Sequence, residues 1–135
     1  MKNRGPDNQD FQLFRTSGKE KYVGLLHSRL SIIDLDPRSN QPFTLGNHTI
    51  VFNGEIYNYL ELRDFLHKRG IVLNTSSDTE VLLHYFRIYE EKCVDFFEGM
   101  WAFAVYNKEN ESLFLSRDRF GEKPLYYYIN DEGFY

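Results

Sequence analysis

A polar cluster directly follows the most apolar stretch in the middle of the chain. Thr49-Ile50-Val51-Phe52 is a run of β-branched and aromatic residues, and Asn53-Gly54-Glu55 comes next. A side-chain amide and a glycine N–H are two hydrogen-bond donors, and a pair of converging donors is what a tetrahedral oxyanion requires. Glu55 adds a negative charge beside them. The stretch therefore indicates a site for developing negative charge at the end of a buried strand.

Asn53-Gly54 also has a simpler interpretation. Asn-Gly between apolar runs is the strongest short-range signal for a tight β-hairpin, since both residues accept positive φ angles. The dipeptide would then reverse the chain and have no chemical role. Taken by itself it favours the hairpin, because a two-residue motif is a weak functional signal.

Two further side chains could bind the charged ends of an amino acid. Arg29 follows an apolar, strand-like segment, where its guanidinium could hold a carboxylate through two parallel hydrogen bonds. Asp78 stands in the first turn of a predicted helix, whose N-terminus favours an ionised carboxylate and hence an ammonium partner. The simpler alternatives are an ordinary surface arginine and an acidic residue that only complements the helix dipole.

The elements that must position these residues follow a strand, helix, strand order. The apolar patterns predict strands at 11–14, 22–27, 49–52, 101–106, 113–116 and 125–129, and helices at 62–66, from Ser77 onward and, briefly, around Cys93. Gly18 would join the first two strands as a hairpin, Gly70 would end the first helix, and Ser77 with Glu80 would form a capping box. Helices grouped against antiparallel strands predict the α+β class.

The composition excludes several classes of function. A chain of 135 residues that is 41% hydrophobic and 17% aromatic has the length and core of one globular domain. A net charge of -4 without a basic run argues against nucleic acid, and no apolar run could cross a bilayer. The four histidines and one cysteine show no metal-ligand spacing, and a single cysteine fits a reducing, cytoplasmic compartment.

Seven short motifs occur in collinear order along nearly the whole chain. They are Arg4-Gly5-Pro6-Asp7, Arg29-Leu30-Ser31-Ile32-Ile33-Asp34, Gln41-Pro42, Val51-Phe52-Asn53-Gly54-Glu55-Ile56-Tyr57-Asn58, Ser77-Asp78-Thr79-Glu80-Val81, Gly99-Met100-Trp101-Ala102-Phe103-Ala104 and the segment 117–127. In this order they resemble the class II, N-terminal-nucleophile glutamine amidotransferase domain of the glutamine-hydrolysing asparagine synthetases. The resemblance favours the oxyanion interpretation of Asn53-Gly54 over the hairpin.

The resemblance implies a four-layer αββα sandwich of antiparallel sheets and a glutaminase half-reaction. Glutamine's side-chain amide is cleaved through a thioester, and the ammonia passes to a second, ATP-using domain that amidates aspartate. The resemblance assigns roles to seven positions: Arg29 for the substrate carboxylate, Glu55 and Asp78 for its ammonium, Asn53 and Gly54 for the oxyanion hole, and Leu30 and Ile32 for wall or backbone contacts.

The family's nucleophile is an N-terminal cysteine whose own α-amino group acts as the base. Here the second residue is Lys2, and Asn3 stands where the family commonly has a histidine. We therefore expect residues 1–135 to be a partial amidotransferase domain that lacks the first strand and hydrolyses glutamine no faster than background by itself. The sheet edge left open would favour self-association, for example as a homodimer. Cys93 is expected to be a structural thiol.

The resemblance also sets the expected ligands and partners. L-glutamine is the expected ligand, and a synthetase domain in cis or in trans is the expected partner. No Gly- and Ser-rich loop that could bind a pyrophosphate is present, so ATP and Mg are expected only in that other domain, and no cofactor or metal in this chain. Two alternatives stay open: an amidotransferase domain that serves another ammonia acceptor, and a non-catalytic glutamine-binding or docking module.

Overall fold

Three antiparallel sheets, two α-helices and two 3-10 helices form the described part of the fold. The computed structural model describes residues 5–18 and 21–135, so Lys2, Asn3 and Arg4 of the first motif region lie outside the described residues. The larger sheet has the order β3-β4-β5-β6. Its strands are β3 (Phe43–Leu45), β4 (His48–Ile56), β5 (Gly99–Asn107) and β6 (Ser112–Arg117).

The remaining elements flank this sheet. The second sheet is the hairpin of β1 (Asn8–Arg15) and β2 (Tyr22–Arg29), as the sequence predicts. Between β4 and β5 the chain forms α1 (Tyr59–Lys68), α2 (Asp78–Tyr89) and a 3-10 helix, Glu90–Phe96. A shorter 3-10 helix, Pro37–Ser39, precedes β3. Neither it nor the three-residue strand β3 was predicted, because segments this short carry no measurable periodicity.

The core lies on both faces of β4 and β5. On one face, Ile50 and Phe52 of β4 and Phe103 of β5 pack with buried residues of the two helices. On the other face, Tyr106 of β5 contacts Phe14 of the hairpin, with ring centroids 5.0 Å apart. The described residues thus form three layers: helices, the four-stranded sheet and the hairpin. The α+β class with antiparallel sheets is confirmed, and of the four-layer αββα sandwich that the resemblance implies, the described residues form one helical layer and the two sheet layers.

The Asn53-Gly54 dipeptide lies inside β4 and does not reverse the chain. Asn53 is paired with Ala102 and Gly54 with Trp101, and the strand continues to Ile56. The hairpin interpretation is therefore wrong. A Cβ atom on Gly54 would lie 2.2 Å from the carbonyl oxygen of Met100, so this glycine is required by the close approach of β5 and not by a positive φ angle.

The helix boundaries agree with the sequence prediction in most respects. Gly70, with φ +77°, follows α1 and donates its N–H to the carbonyl of His67. The hydroxyl of Ser77 accepts the N–H of Thr79 at 3.1 Å, which confirms the N-cap. The second half of the predicted capping box is wrong, because the N–H of Ser77 is donated to the Thr75 hydroxyl and not to Glu80.

Glu80 instead holds the segment that leads into α2. Its side chain is fully buried, at 0% exposure. Its carboxylate accepts the backbone N–H groups of Asn74, at 2.9 Å, and Thr75, at 2.7 Å, and the Thr75 hydroxyl, also at 2.7 Å. A buried carboxylate is tolerated only when it is hydrogen-bonded in this way. Glu80 therefore fixes the path of the chain toward Asp78.

One buried carboxylate also organises the charged turn after β6. Asp118 accepts backbone N–H groups from Trp101, Phe120, Glu122 and Lys123 at 2.9–3.2 Å. Burial opposes the ionisation of Asp118, but the hydrogen bonds from these backbone N–H groups outweigh it and lower the pKa to about 2. Because the folded-state pKa lies below the ordinary value, this stabilisation is present at neutral pH and is lost as the pH falls toward 2.

The last predicted strand is wrong. Residues 125–128 are irregular, and the strands β7 (Ile129–Asn130) and β8 (Gly133–Phe134) form a two-residue ladder. Tyr128 and Tyr135 exchange two further backbone hydrogen bonds at 2.8 Å. The aromatic residues at 126–128 have high strand propensity, but in this structure they are exposed, and Tyr126 and Tyr127 lie before the point at which pairing begins.

Cys93 is fully buried in the core cluster. Burial raises the pKa of its thiol to about 12, and the negative charge of Asp95 acts in the same direction. The thiol is therefore protonated at neutral pH, in agreement with the predicted structural role.

Substituting Gly54 with alanine should destabilise the fold, because the new Cβ would push β4 away from β5. We expect the free energy of unfolding to fall by about 2 kcal/mol, as for other overpacked interiors. Gly24→Ala is the matched control, since its Cβ would meet only side-chain carbons at 3.7 and 3.9 Å. Urea unfolding checks both variants, and equal midpoints would contradict the close-approach argument.

Substituting Glu80 with glutamine should also destabilise the fold, because one acceptor oxygen is replaced by an NH2 group that faces N–H donors. The expected loss is about 1–3 kcal/mol, the cost of leaving buried donors unpaired. Glu61→Gln is the control, because Glu61 is also the third residue of its helix but is exposed. A loss of equal size in both variants in urea unfolding would show that only the helix dipole matters.

Candidate functional site

One edge of β4 is left without a neighbouring strand where β3 ends. β3 pairs with β4 only from His48 to Ile50, and β4 continues to Ile56. In an antiparallel strand every second residue directs its N–H and C=O to the same side. The backbone groups of Phe52, Gly54 and Ile56 therefore point toward this open edge.

Side chains from other elements bond to backbone groups of two of these three residues, Phe52 and Ile56. The N–H of Phe52 is donated to Oε1 of Gln41 at 2.6 Å, and the carbonyl of Phe52 lies 3.1 Å from Nε2 of His27. The N–H of Ile56 is donated to Oδ2 of Asp78 at 3.1 Å. The edge is thus closed on both sides of Gly54 by side chains instead of by a strand.

The N–H of Gly54 has no such partner. The residue opposite it in β5, Trp101, directs its own N–H and C=O to Asp118, on the other side of β5. Among the described residues, no acceptor outside the ladder is bonded to Gly54. Gly54 is half-buried, so this donor is accessible to water or to a ligand. The side chain of the neighbouring Asn53, which also carries an amide donor, is exposed.

Asp78 is the first residue of α2 and is only 5% exposed. Burial raises the pKa of its carboxyl, hydrogen bonds from the backbone of Ile56 and Thr79 oppose this in part, and the negative charge of Glu55 raises the pKa further. The start of the helix does favour the ionised form, through the N–H of Thr79, but burial outweighs it, so the net shift is opposite to the one expected from the sequence. Among the described residues no cation is paired with Asp78 or Glu55, so a positively charged ligand would be stabilised here.

Arg29, the last residue of β2, is buried, so the interpretation as a surface arginine is wrong. Its terminal nitrogens donate to four acceptors of the loop that follows. Oδ1 of Asn40 accepts at 2.7 Å and the carbonyl of Asp34 accepts a short bond, while the carbonyls of Asp36 and Ile33 accept at 3.3 and 3.5 Å. The last two contacts are long and therefore weak.

The loop around Arg29 is fastened to the start of α2. Oδ2 of Asp34 accepts both the hydroxyl of Ser39 and the N–H of Ser76 at 2.6 Å. Asp34 itself has φ +58°, a conformation that costs energy outside glycine and is found at functional loops. Arg29 and Asp78 are thereby connected through a few bonded residues, although no direct contact between them is recorded in the described part of the chain.

His27 supports the strand at Phe52. Burial lowers the pKa of His27, the hydrogen bond to Phe52 opposes this in part, and the positive charge of Arg29 lowers the pKa further. The imidazole is therefore neutral near pH 7. Because a carbonyl oxygen only accepts hydrogen bonds, Nε2 must carry the proton.

The structure thus brings most of the predicted site residues together. Asn53, Gly54 and Glu55 are consecutive in β4, Asp78 bonds to the N–H of the next residue, Ile56, and Arg29 is joined to the start of α2 through its loop. Leu30 and Ile32 follow Arg29 with side chains that are 57% and 73% exposed. They are therefore accessible to a ligand or a partner.

Sequence reasoning missed the side chains that hold this arrangement. Gln41 was part of a motif but had no assigned role, Asp34 was only part of another motif, and His27 was treated as an ordinary histidine. Their polar atoms bond to residues on other elements, as Nε2 of His27 does with the carbonyl of Phe52, 25 positions along the chain. Their position in a motif was the only available signal. In the described ranges, no group of three acidic, histidine or cysteine side chains could hold a metal ion.

No helix formed by residues 5–18 and 21–135 is long and apolar enough to cross a membrane.

The sequence has clear relatives among known proteins. It is 44% identical over 135 residues to the glutamine-hydrolysing asparagine synthetase 1 of Bacillus subtilis (strain 168), covering 98% of this chain and 20% of that protein. It is 38% identical over 150 residues to a putative glutamine-hydrolysing asparagine synthetase 2 of Methanocaldococcus jannaschii, covering 99% and 28%. The chain therefore spans about a fifth to a quarter of the length of these relatives.

The fold also matches that of a solved amidotransferase. The glutamine phosphoribosylpyrophosphate amidotransferase from B. subtilis, solved with ADP and GMP, superposes with a TM-score of 0.69 over 82% of this chain and 26% of that chain. At 23% identity this likeness concerns the fold alone. The glutamine amidotransferase domain family matches residues 1–135, the whole sequence. The chain is a member of the glutamine amidotransferase domain family.

Proposed function

We propose that this chain is the glutaminase domain of an asparagine synthetase-type enzyme, and that L-glutamine binds at the open edge of β4. The observation that carries the proposal is the free N–H of Gly54, between two residues whose N–H groups are already accepted by Gln41 and Asp78. A donor that the protein leaves unpaired in an otherwise satisfied edge is available to a ligand oxygen. The membership of the family supports glutamine as that ligand.

The carboxamide of glutamine would lie against Asn53 and Gly54. Attack on its carbon converts the amide oxygen into an oxyanion, and donors fixed in advance stabilise that charge without reorganising. The N–H of Gly54 is fixed by the tight contact between β4 and β5. Removal of one such donor typically costs about a hundred- to a thousandfold in rate.

The α-ammonium of glutamine would lie between Asp78 and Glu55. In the free protein burial raises the pKa of Asp78, and the negative charge of Glu55 raises it further. An ammonium group placed between them changes the repulsion into two attractive interactions. Binding of an amino acid therefore relieves an unfavourable arrangement that the free protein contains.

The α-carboxylate of glutamine would bind Arg29. The guanidinium keeps its two short bonds to Asn40 and to the carbonyl of Asp34, which hold the loop in place. The two long contacts at 3.3 and 3.5 Å are weak enough to be exchanged for a charge-assisted bond to the ligand. The exposed side chains of Leu30 and Ile32 would cover the aliphatic part of the substrate.

The attacking thiolate is not supplied by Cys93. That thiol is buried and protonated, and it lies in the core beneath α2 and not at the edge of β4. The described residues would bind glutamine and polarise its amide. The ammonia released would be used by an ATP- and Mg-dependent synthetase domain to amidate aspartate, in the reducing cytoplasm that a single free thiol suits.

Glutamine binding tests the proposal directly. Asp78→Asn retains the acceptor for the N–H of Ile56 but removes the charge, and Arg29→Lys retains the charge but removes the planar fork. Each should raise the Kd for L-glutamine, measured by isothermal titration calorimetry, about tenfold or more, since charge-assisted bonds are about twice as strong as neutral ones. Asp64→Asn on α1 and Arg87→Lys at the far end of α2 are the exposed controls.

Absence of any binding heat at millimolar glutamine in the unmodified chain would refute the proposed function. Equal affinities in the two site variants and the two controls would show that glutamine binds elsewhere.

The raised pKa of Asp78 also predicts how its contribution to the stability of the fold depends on pH. A carboxyl whose folded-state pKa lies above its unfolded value stabilises the fold less as the pH rises through that folded-state pKa. Asp78 should therefore contribute less to the stability of the fold at neutral than at acidic pH, and Asp78→Asn should raise the Tm at pH 7 more than at pH 4 while it weakens glutamine binding. Thermal unfolding between pH 4 and 8 measures this, with Asp64→Asn as the control. A Tm for Asp78→Asn below that of the unmodified protein at pH 7 would contradict it.

A further inference from the structure

Gln41 makes a bridge between the two elements that carry the proposed substrate contacts. Its side chain is only 6% exposed, and both ends of its carboxamide are used. Oε1 accepts the N–H of Phe52 on β4 at 2.6 Å, and Nε2 donates to the hydroxyl of Thr79 on α2 at 3.2 Å. Phe52 directly precedes Asn53-Gly54, and Thr79 directly follows Asp78.

We propose that Gln41 is a positioning residue, which fixes the distance between the oxyanion donors on β4 and the ammonium-binding carboxylate of Asp78 on α2. This inference rests on the proposed glutamine site and adds to it the residue that sets the distance between its two ends. Glutamine spans a fixed number of bonds between its carboxamide and its ammonium. A site that binds both ends needs a matching and constant separation, because small misplacements of reacting groups are costly.

The residue before Gln41 in the chain bonds to the third proposed substrate contact, Arg29. Oδ1 of Asn40 accepts a hydrogen bond from the guanidinium of Arg29 at 2.7 Å. One dipeptide therefore bonds to the carboxylate-binding arginine, to the strand of the oxyanion donors and to the helix of Asp78. In the described part of the chain no other pair of adjacent residues is recorded as touching all three.

Gln41 also provides a hydrogen-bonded connection between β4 and α2 that does not involve the site itself. Apart from this bridge, the recorded side-chain hydrogen bond between β4 and α2 in the described residues is that from the N–H of Ile56 to Asp78. An ammonium ligand would compete for that same carboxylate. The bond of Gln41 to Phe52 uses no group that the ligand needs, so it can hold β4 against α2 while Asp78 binds substrate.

A double-mutant cycle tests the bridge. Gln41→Met keeps the length of the side chain and removes both hydrogen bonds, whereas Thr79→Val removes only the acceptor on α2. We expect Gln41→Met to weaken the Kd for L-glutamine about tenfold and Thr79→Val about threefold, the range of one or two ordinary hydrogen bonds. The double variant should bind no more weakly than Gln41→Met alone, since both changes break the same connection.

Asn58→Leu is the matched control. The Asn58 side chain is also bonded at both ends, accepting the N–H of Glu98 at 3.0 Å and donating to the carbonyl of Phe96 at 2.9 Å, but it joins neither α2 nor Arg29. It should lower the Tm and leave the Kd within about twofold, a change below one hydrogen bond. A Kd for Gln41→Met within twofold of the unmodified chain, or multiplicative effects of Gln41→Met and Thr79→Val, would overturn the proposal.

Amide hydrogen exchange separates this inference from the proposed function, because it needs no ligand. In Gln41→Met the N–H of Ile56, four residues beyond the lost bond, should exchange at least about tenfold faster, since β4 can then move away from Asp78. The Asn58→Leu variant should not show this. If the unmodified chain fails to bind glutamine but Ile56 responds, the positioning role stands and the proposed ligand fails. Unchanged exchange at Ile56 would overturn the positioning role.

Discussion

The short length of β3 is the constraint on which the rest of the structure depends. A strand of three residues covers only the first part of β4, so the edge beyond Ile50 has backbone groups that need other partners. Buried backbone donors and acceptors are almost always paired. Gln41, His27 and Asp78 are brought to this edge from three different parts of the chain to meet that requirement. Among the bonds of the described residues at this edge, none accepts the N–H of Gly54, and the proposed site is built around it.

Two charged side chains near this edge, Asp78 and Arg29, are buried. Asp78 is held beside Glu55, and Arg29 is buried among carbonyl oxygens with no carboxylate partner recorded in the described residues. Unpaired buried charges reduce stability, and proteins retain them mainly where function needs them. An amino acid carries one group of each sign at its α-carbon and would neutralise both places at once. The free energy that folding loses here becomes available when such a ligand binds.

Much of the secondary structure followed from local pattern. The hairpin of β1 and β2, both helices and the strands β5 and β6 were predicted because their apolar periodicity and end signals agree, as at Ser77 and Gly70. The failures share a cause. Asn53-Gly54 was ambiguous because a glycine required by a neighbouring strand has the same sequence as a turn glycine. The tyrosines at 126–128 have strand propensity, but a strand also requires a partner that the sequence alone does not place.

The sequence by itself determined the α+β class, the family resemblance and the identity of the residues that could bind an amino acid. These follow from residue type and from order along the chain, which need no coordinates. Only the tertiary structure decided that Arg29 is buried, that burial outweighs the helix N-terminus at Asp78, and that Gln41 and Asp78 accept the N–H groups on either side of Gly54. Each depends on distances between residues far apart in sequence. Desolvation and hydrogen-bond pairing are properties of the folded environment and not of the residue.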